Sequence, residues 1–140
     1  MALVLDTGVL FAAHVTDEED HEACRTLLAD TTETRVIPAP VLVELEYLFR
    51  ARATLRAWLA FTEDVADGAY TIYPTDGPGL RAIARAQKTY ADLPLGFVDA
   101  AVFTACLELG EQKVATLDHR HFTVLRPRKG PMFELLPARA

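Results

Sequence analysis

Residues 2–5, Ala-Leu-Val-Leu, are apolar without interruption and stop at Asp6. A strand that is apolar at every position, rather than at alternate ones, must be covered on both faces, and this is the mark of a parallel sheet sandwiched between helices. A second strand, KVATL, likewise ends just before an acid, Asp118. Segments of helical periodicity fill most of the chain between the two runs. Thr16 followed by Glu19 has the form of a capping box and predicts a helix to about Ala29. Arg35–Pro38 reads as a second short strand. Pro40 suits the first turn of a helix in which Val41, Leu45, Leu48 and Phe49 recur at helical spacing.

A helix over Thr54–Val65 is followed by the strand AYTIYP, whose proline confines it to a sheet edge or end. Asp76 is placed to cap a helix around Leu80–Tyr90, and another runs from about Gly96 to Leu109, where Gly110 suits a left-handed cap. KVATL, a turn at HRHF and an extended stretch near Val124–Leu125 complete the chain. Strands alternating with helices predict an α/β fold with a short central parallel sheet. At 140 residues and 51% hydrophobic content, a single domain over residues 1–140 is expected.

The opening run lacks a basic leader and is cut by Asp6, so it does not read as a signal peptide, and nothing else approaches a membrane span. Cys24 and Cys106 follow no metal-ligand spacing and fit buried thiols in a reducing cytoplasm. The net charge of −6 argues at first against a polyanionic partner, but it is unevenly spread. Residues 1–34 hold eight acids against Arg25 alone, whereas residues 113–140 hold six bases, Arg120, Arg126, Arg128 and Lys129 among them, against two acids. A basic C-terminal face can meet a polyanion.

Four acids carry the chemistry. In parallel α/β sheets ligands gather beyond the carboxyl ends of strands, where Asp6 and Asp118 stand, side by side if their strands are neighbours. Glu44 and Asp99 lie in the second turn or near the start of strongly apolar helices. A carboxylate in such a frame costs several kcal/mol to bury alone and ionised. No basic residue is close in sequence to Asp6 or Asp99, so a divalent cation is the economical partner. Oxygen ligands without a cysteine cluster favour Mg²⁺ or Mn²⁺, ions that polarise a phosphoryl oxygen and activate water, which makes phosphodiester hydrolysis the natural reaction.

Taken singly, each acid has a plainer use. Asp6 and Asp118 fit turn or helix caps, Glu44 an exposed helix flank, and Asp99 a complement to a helix dipole. The joint pattern favours the metal centre. The DTG tripeptide also occurs in aspartic proteases, but those need paired copies on β-rich folds. Aspartyl-phosphate phosphatases want an acid where Gly8 stands.

The runs LVLDTGVLFA, APVLVELEYLF, LPLGFVDAAVFTAC and VATLDHRHF, in that order and spanning nearly the whole chain, resemble PIN-domain ribonucleases, most closely the VapC-type toxins of toxin–antitoxin pairs. The resemblance implies a three-layer α/β/α sandwich, usually dimeric, acting as a Mg²⁺- or Mn²⁺-dependent endoribonuclease. It places the metal-binding acids on Asp6, Glu44, Asp99 and Asp118, and a hydroxyl near the metal or its water on Thr116, with Thr7 in a similar role. It also implies an RNA substrate, commonly transfer RNA or a ribosomal RNA loop, and a cognate antitoxin protein that blocks the site.

The chain departs from the family after Asp118. Some relatives carry a further acid or amide there, and His119, Arg120 and His121 stand instead, which weakens the expectation of a second tightly held metal. The two histidines read as packing and phosphate-facing groups of the turn, Arg120 as a phosphate contact, and Asp92 as structural. The alternative is a non-catalytic module of the same fold that binds RNA or protein.

Overall fold

Strand β1 (Ala2–Val4) is buried at every residue, as its uninterrupted apolar run demands. The structure, a computed structural model, describes residues 1–139. On one side β1 pairs in parallel with β2 (Thr34–Pro38), which pairs in parallel with β3 (Thr71–Tyr73). On the other side the β1 run continues through Leu5, which bridges Ala115 at the end of β4 (Lys113–Ala115). β4 in turn pairs in parallel with β5 (Glu134–Leu136). A three-stranded sheet and a two-stranded sheet, joined by the Leu5–Ala115 bridge, thus lie in the order β3-β2-β1-β4-β5. Chain order reverses direction between β1 and β4, so the crevice beyond their carboxyl ends is the place where such sheets bind ligands.

Helices cover both faces and complete the three-layer sandwich. They are α1 (Thr7–His14), α2 (His21–Asp30), α3 (Ala39–Arg52), α4 (Leu55–Ala66), α5 (Gly77–Thr89), α6 (Phe97–Leu109) and the single turn α7 (His119–Phe122). The caps at Asp76 and Gly110 are those the sequence predicts, and Thr54, expected inside its helix, is a further cap. Thr54 accepts from the Ala57 amide, Asp76 from the Gly79 amide, and Gly110 closes α6 at φ 69°. α3 begins with Pro40 in its first turn and buries Val41, Leu45 and Phe49. β3 is an edge strand, as Pro74 requires.

Two aromatic clusters fill the core. Phe49 stands between Phe11, Trp58 and Phe61, and Phe61 also meets Tyr70. Phe103 meets Tyr90 and Phe133, and Phe133 meets Phe122, which ties the last strand to α6 and α7.

Two expectations are corrected. Thr16 and Glu19 form no capping box: residues 16–20 are turns, with the Glu18 amide bonded to the Val15 carbonyl and the His21 amide to that of Glu18. α2 begins only at His21, whose Nδ1 pairs at 2.7 Å with the carbonyl of Ala12 near the end of α1, and this anchor outweighs the local cap. Val124–Leu125 is not extended. The last strand lies further on, at Glu134–Leu136, because the proline- and glycine-containing stretch after Leu125 delays pairing. HRHF is the expected turn, a helical one, with the Asp118 side chain capping it by accepting from the His121 amide.

Candidate active site

Asp6 is the N-cap of α1, 6% exposed, with both carboxylate oxygens held. Oδ1 accepts from the Thr7 amide at 2.8 Å, and Oδ2 accepts from the Thr116 hydroxyl, also at 2.8 Å. Thr116 is fully buried because β4 runs beside β1, and its oxygen also accepts from the Asp118 amide at 3.0 Å. One hydroxyl thus ties Asp6 to the loop that carries Asp118. The strands are neighbours, as the expected side-by-side placement of Asp6 and Asp118 requires, but the side chain in direct contact with Asp6 is Thr116.

Asp99, in the first turn of α6, is the hub of the cluster. Its charge is felt at Asp6, and it feels those of Asp118 and Glu44, while Glu44 also acts on Asp6. Burial, offset by the Thr116 and Thr7 hydrogen bonds and reinforced by Asp99 and Glu44, pushes the Asp6 carboxyl from 3.8 up to about 7. Burial and the neighbouring Asp118 raise Asp99 as well, against the opposing influence of His121. At neutral pH Asp6 is therefore fully ionised only with a cation beside it.

The expectation that all four acids are embedded in apolar surroundings is corrected. Only Asp6 is buried. Asp99 and Asp118 are 26% and 28% exposed at the side chain, and Glu44 lies on the exposed flank of α3, because Val41, Leu45 and Phe49 take the inward positions and turn residue 44 outward. Desolvation therefore argues for a cation at Asp6 and in part at Asp99. Asp118 and Glu44 enter through their charges on Asp99.

One participant exceeds its sequence reading. His121 Nδ1 lies 2.5 Å from Asp118 Oδ2 and 3.5 Å from Asp99 Oδ2, so the ring faces the acids rather than merely packing the turn. The available signal was the spacing of Asp118 and His121, which on a helical turn puts both on one face. Arg120 is exposed on the same turn.

The surroundings suit a hydrated cation. Among the described residues, the buried side-chain polar atoms without a hydrogen-bond partner are Thr7 Oγ1, His119 Nε2 and His121 Nε2. All three belong to residues within or directly beside the acid cluster. Ligand atoms of Asp99, Asp118 and His121 can lie within 4.8 Å of one another, and the carboxylates are the hard oxygen donors that Mg²⁺ and Mn²⁺ take.

The sequence profile of the PIN domain matches residues 3–126, all four acids included. The chain belongs to the PIN-domain family. It is 30% identical over 135 residues to Ribonuclease VapC26 of Mycobacterium tuberculosis, a match covering 96% of this chain and 100% of that protein. Two solved structures share the fold. VapC20 of M. tuberculosis, a toxin that cleaves the sarcin–ricin loop, superposes with a TM-score of 0.74 at 19% identity, over 81% of this chain and 87% of its own. VapBC2 of Rickettsia felis, bound to a fragment of promoter DNA, gives 0.65 at 17% identity, over 96% and 97%. PIN ribonucleases are metal-dependent, and this PIN domain presents an acid cluster able to bind a metal. No helix among its described residues is long and apolar enough to cross a membrane.

Proposed function

We propose that this PIN domain is a metal-dependent endoribonuclease, the toxin of a toxin–antitoxin pair, using Mg²⁺ or Mn²⁺ held by Asp6, Asp99 and Asp118 with Glu44 facing them. The observation that carries the reading is the buried Asp6 carboxylate, gripped by Thr116 and close enough to Asp99 for the two charges to oppose each other. When bound, the metal supplies Lewis-acid polarisation of the phosphodiester and an activated water. The chain's own residues do the positioning. Thr116 fixes the orientation of Asp6 and, through the Asp118 amide, the start of α7. Exposed Arg120 on α7 is suited to a backbone phosphate.

The relatives support this activity, since one is named a ribonuclease and another a toxin that cleaves a ribosomal RNA loop. A structured RNA, ribosomal or transfer, is accordingly the substrate class. An apolar groove lined by Pro40, Val43, Tyr47, Phe97 and Val98 reaches Glu44, with Val43 75% and Tyr47 68% exposed. It suits a protein partner, either the cognate antitoxin or a second copy in a homodimer. The whole of residues 1–140 acts as one domain in this reading, because β5 and Phe133, beyond the profile match, join the same sheet and core.

Incubation of the purified protein with total RNA tests the proposal. Cleavage is expected with Mn²⁺ or Mg²⁺, none in excess chelator, and none with Asp99→Asn under either condition. Fragmentation that persists in chelator, or at the parental rate in the variant, would exclude a metal-dependent enzyme at these acids.

A further inference from the structure

We infer that His121 is itself a metal ligand, completing with Asp99 and Asp118 a cation position of mixed nitrogen and oxygen donors. The inference rests on the metal-dependent reading above and goes beyond it in assigning a nitrogen donor and a metal preference to a site otherwise made of carboxylates. Nδ1 of His121 faces Asp118 Oδ2 at 2.5 Å and Asp99 Oδ2 at 3.5 Å. Donors sharing one small divalent cation stand about 3–4 Å apart, since each bond is about 2 Å. The separation from Asp99 falls in that range, and the separation from Asp118 is that of a hydrogen bond, whose proton a cation would replace.

The placement follows from the local fold. Asp118 caps α7 by accepting from the His121 amide, and one helical turn brings residues 118 and 121 to the same face, toward Asp99 on α6. The ring is 15% exposed at the side chain, and its other nitrogen has no hydrogen-bond partner among the described residues. Among those residues, the two acids are therefore the polar side chains it engages. Asp6, by contrast, is not among the residues whose ligand atoms converge on His121. The cluster thus has two sides sharing Asp99: oxygen donors only toward Asp6 and Glu44, and a nitrogen donor toward Asp118.

Imidazole discriminates between cations in a way that carboxylates do not. Mg²⁺ keeps oxygen ligands, whereas Mn²⁺ and the later first-row ions gain from a nitrogen donor. His121 is therefore expected to tilt the site toward Mn²⁺, and its removal to weaken Mn²⁺ more than Mg²⁺.

Electron spin-echo spectroscopy of Mn²⁺ bound to the full chain, without substrate, tests this directly. The wild-type protein is expected to show modulation from a directly coordinated ¹⁴N. The modulation should vanish in His121→Ala and persist in His119→Ala, with far-UV circular dichroism confirming that both variants are folded. In parallel titrations His121→Ala should lose about tenfold or more in Mn²⁺ affinity and distinctly less for Mg²⁺. Mn²⁺ bound by the wild type without nitrogen modulation would overturn the assignment while leaving the carboxylate reading intact. Modulation lost in His119→Ala instead, or Mn²⁺ bound as tightly or more tightly by His121→Ala, would also overturn it. Failure of the wild type to bind Mn²⁺ at all would remove both the metal-dependent reading and this inference.

Discussion

Asp6→Asn is expected to abolish RNA cleavage while making the metal-free protein more stable at pH 7. The first effect follows from losing a ligand. Metal polarisation is worth several kcal/mol in the transition state, so a drop of about 10³-fold or more is expected. The second follows from the raised Asp6 carboxyl. The folded protein keeps that proton up to about pH 7, while the unfolded chain releases it near 3.8, so between these values the folded form binds more protons. Stability of the chelated wild type must then fall as pH rises from about 4 to about 7, by roughly 4 kcal/mol at the upper end. The carboxamide of the variant has no proton to lose, so most of that slope should disappear. Asp99, raised in the same direction, leaves a smaller remainder. Urea denaturation of both proteins in chelator at pH 4.5 and pH 7 measures the difference. An unchanged slope in the variant would mean that Asp6 is not the strained group.

Phe49→Ala is expected to cost about 3–5 kcal/mol, a large part of the roughly 5–15 kcal/mol that holds a domain of this size together. The side chain is fully buried, with ring centroids of Phe11, Trp58 and Phe61 at 5.5, 6.1 and 6.1 Å. Those neighbours belong to α1 and α4, which α3 packs against, so a cavity there loosens three helices at once. Denaturation midpoints should report the loss. At low temperature, where the variant remains folded, metal binding should survive, since the rings around Phe49 belong to Phe11, His14, Trp58 and Phe61 and to none of the acids. A loss under about 1 kcal/mol would show that the cluster closes over the gap and is not the keystone of that layer.

The residue pattern made β1 legible because a strand buried on both faces leaves an uninterrupted apolar run, and ALVL is such a run. The caps at Asp76 and Gly110 were legible because each acts within a few residues of itself. The start of α2 was not, since its anchor is the contact from His21 back to Ala12, and no local motif records it. β5 was missed for a related reason. Its three residues become a strand only through pairing with β4, and only Leu135 and Leu136 of them are apolar.

At the site, the sequence pattern identified which acids stand at strand ends and helix starts, but burial depends on helix phase. Glu44 lies one position before Leu45 in an apolar run and still faces outward, because the inward stripe is Val41, Leu45 and Phe49. His121 was underestimated because its importance arises from α7 closing over Asp99, a residue more than twenty positions away. The 30% relationship to a named ribonuclease and the family match agree with the family resemblance read from the sequence.

The central claim is that these carboxylates share a divalent cation through Asp99. Crystals grown with Mn²⁺, with anomalous scattering recorded at the manganese edge, test it most directly. An anomalous peak bonded to Asp99 and to at least one of Asp6 and Asp118 is the expected result. A map with manganese only at surface acids, and none at Asp99, would contradict it.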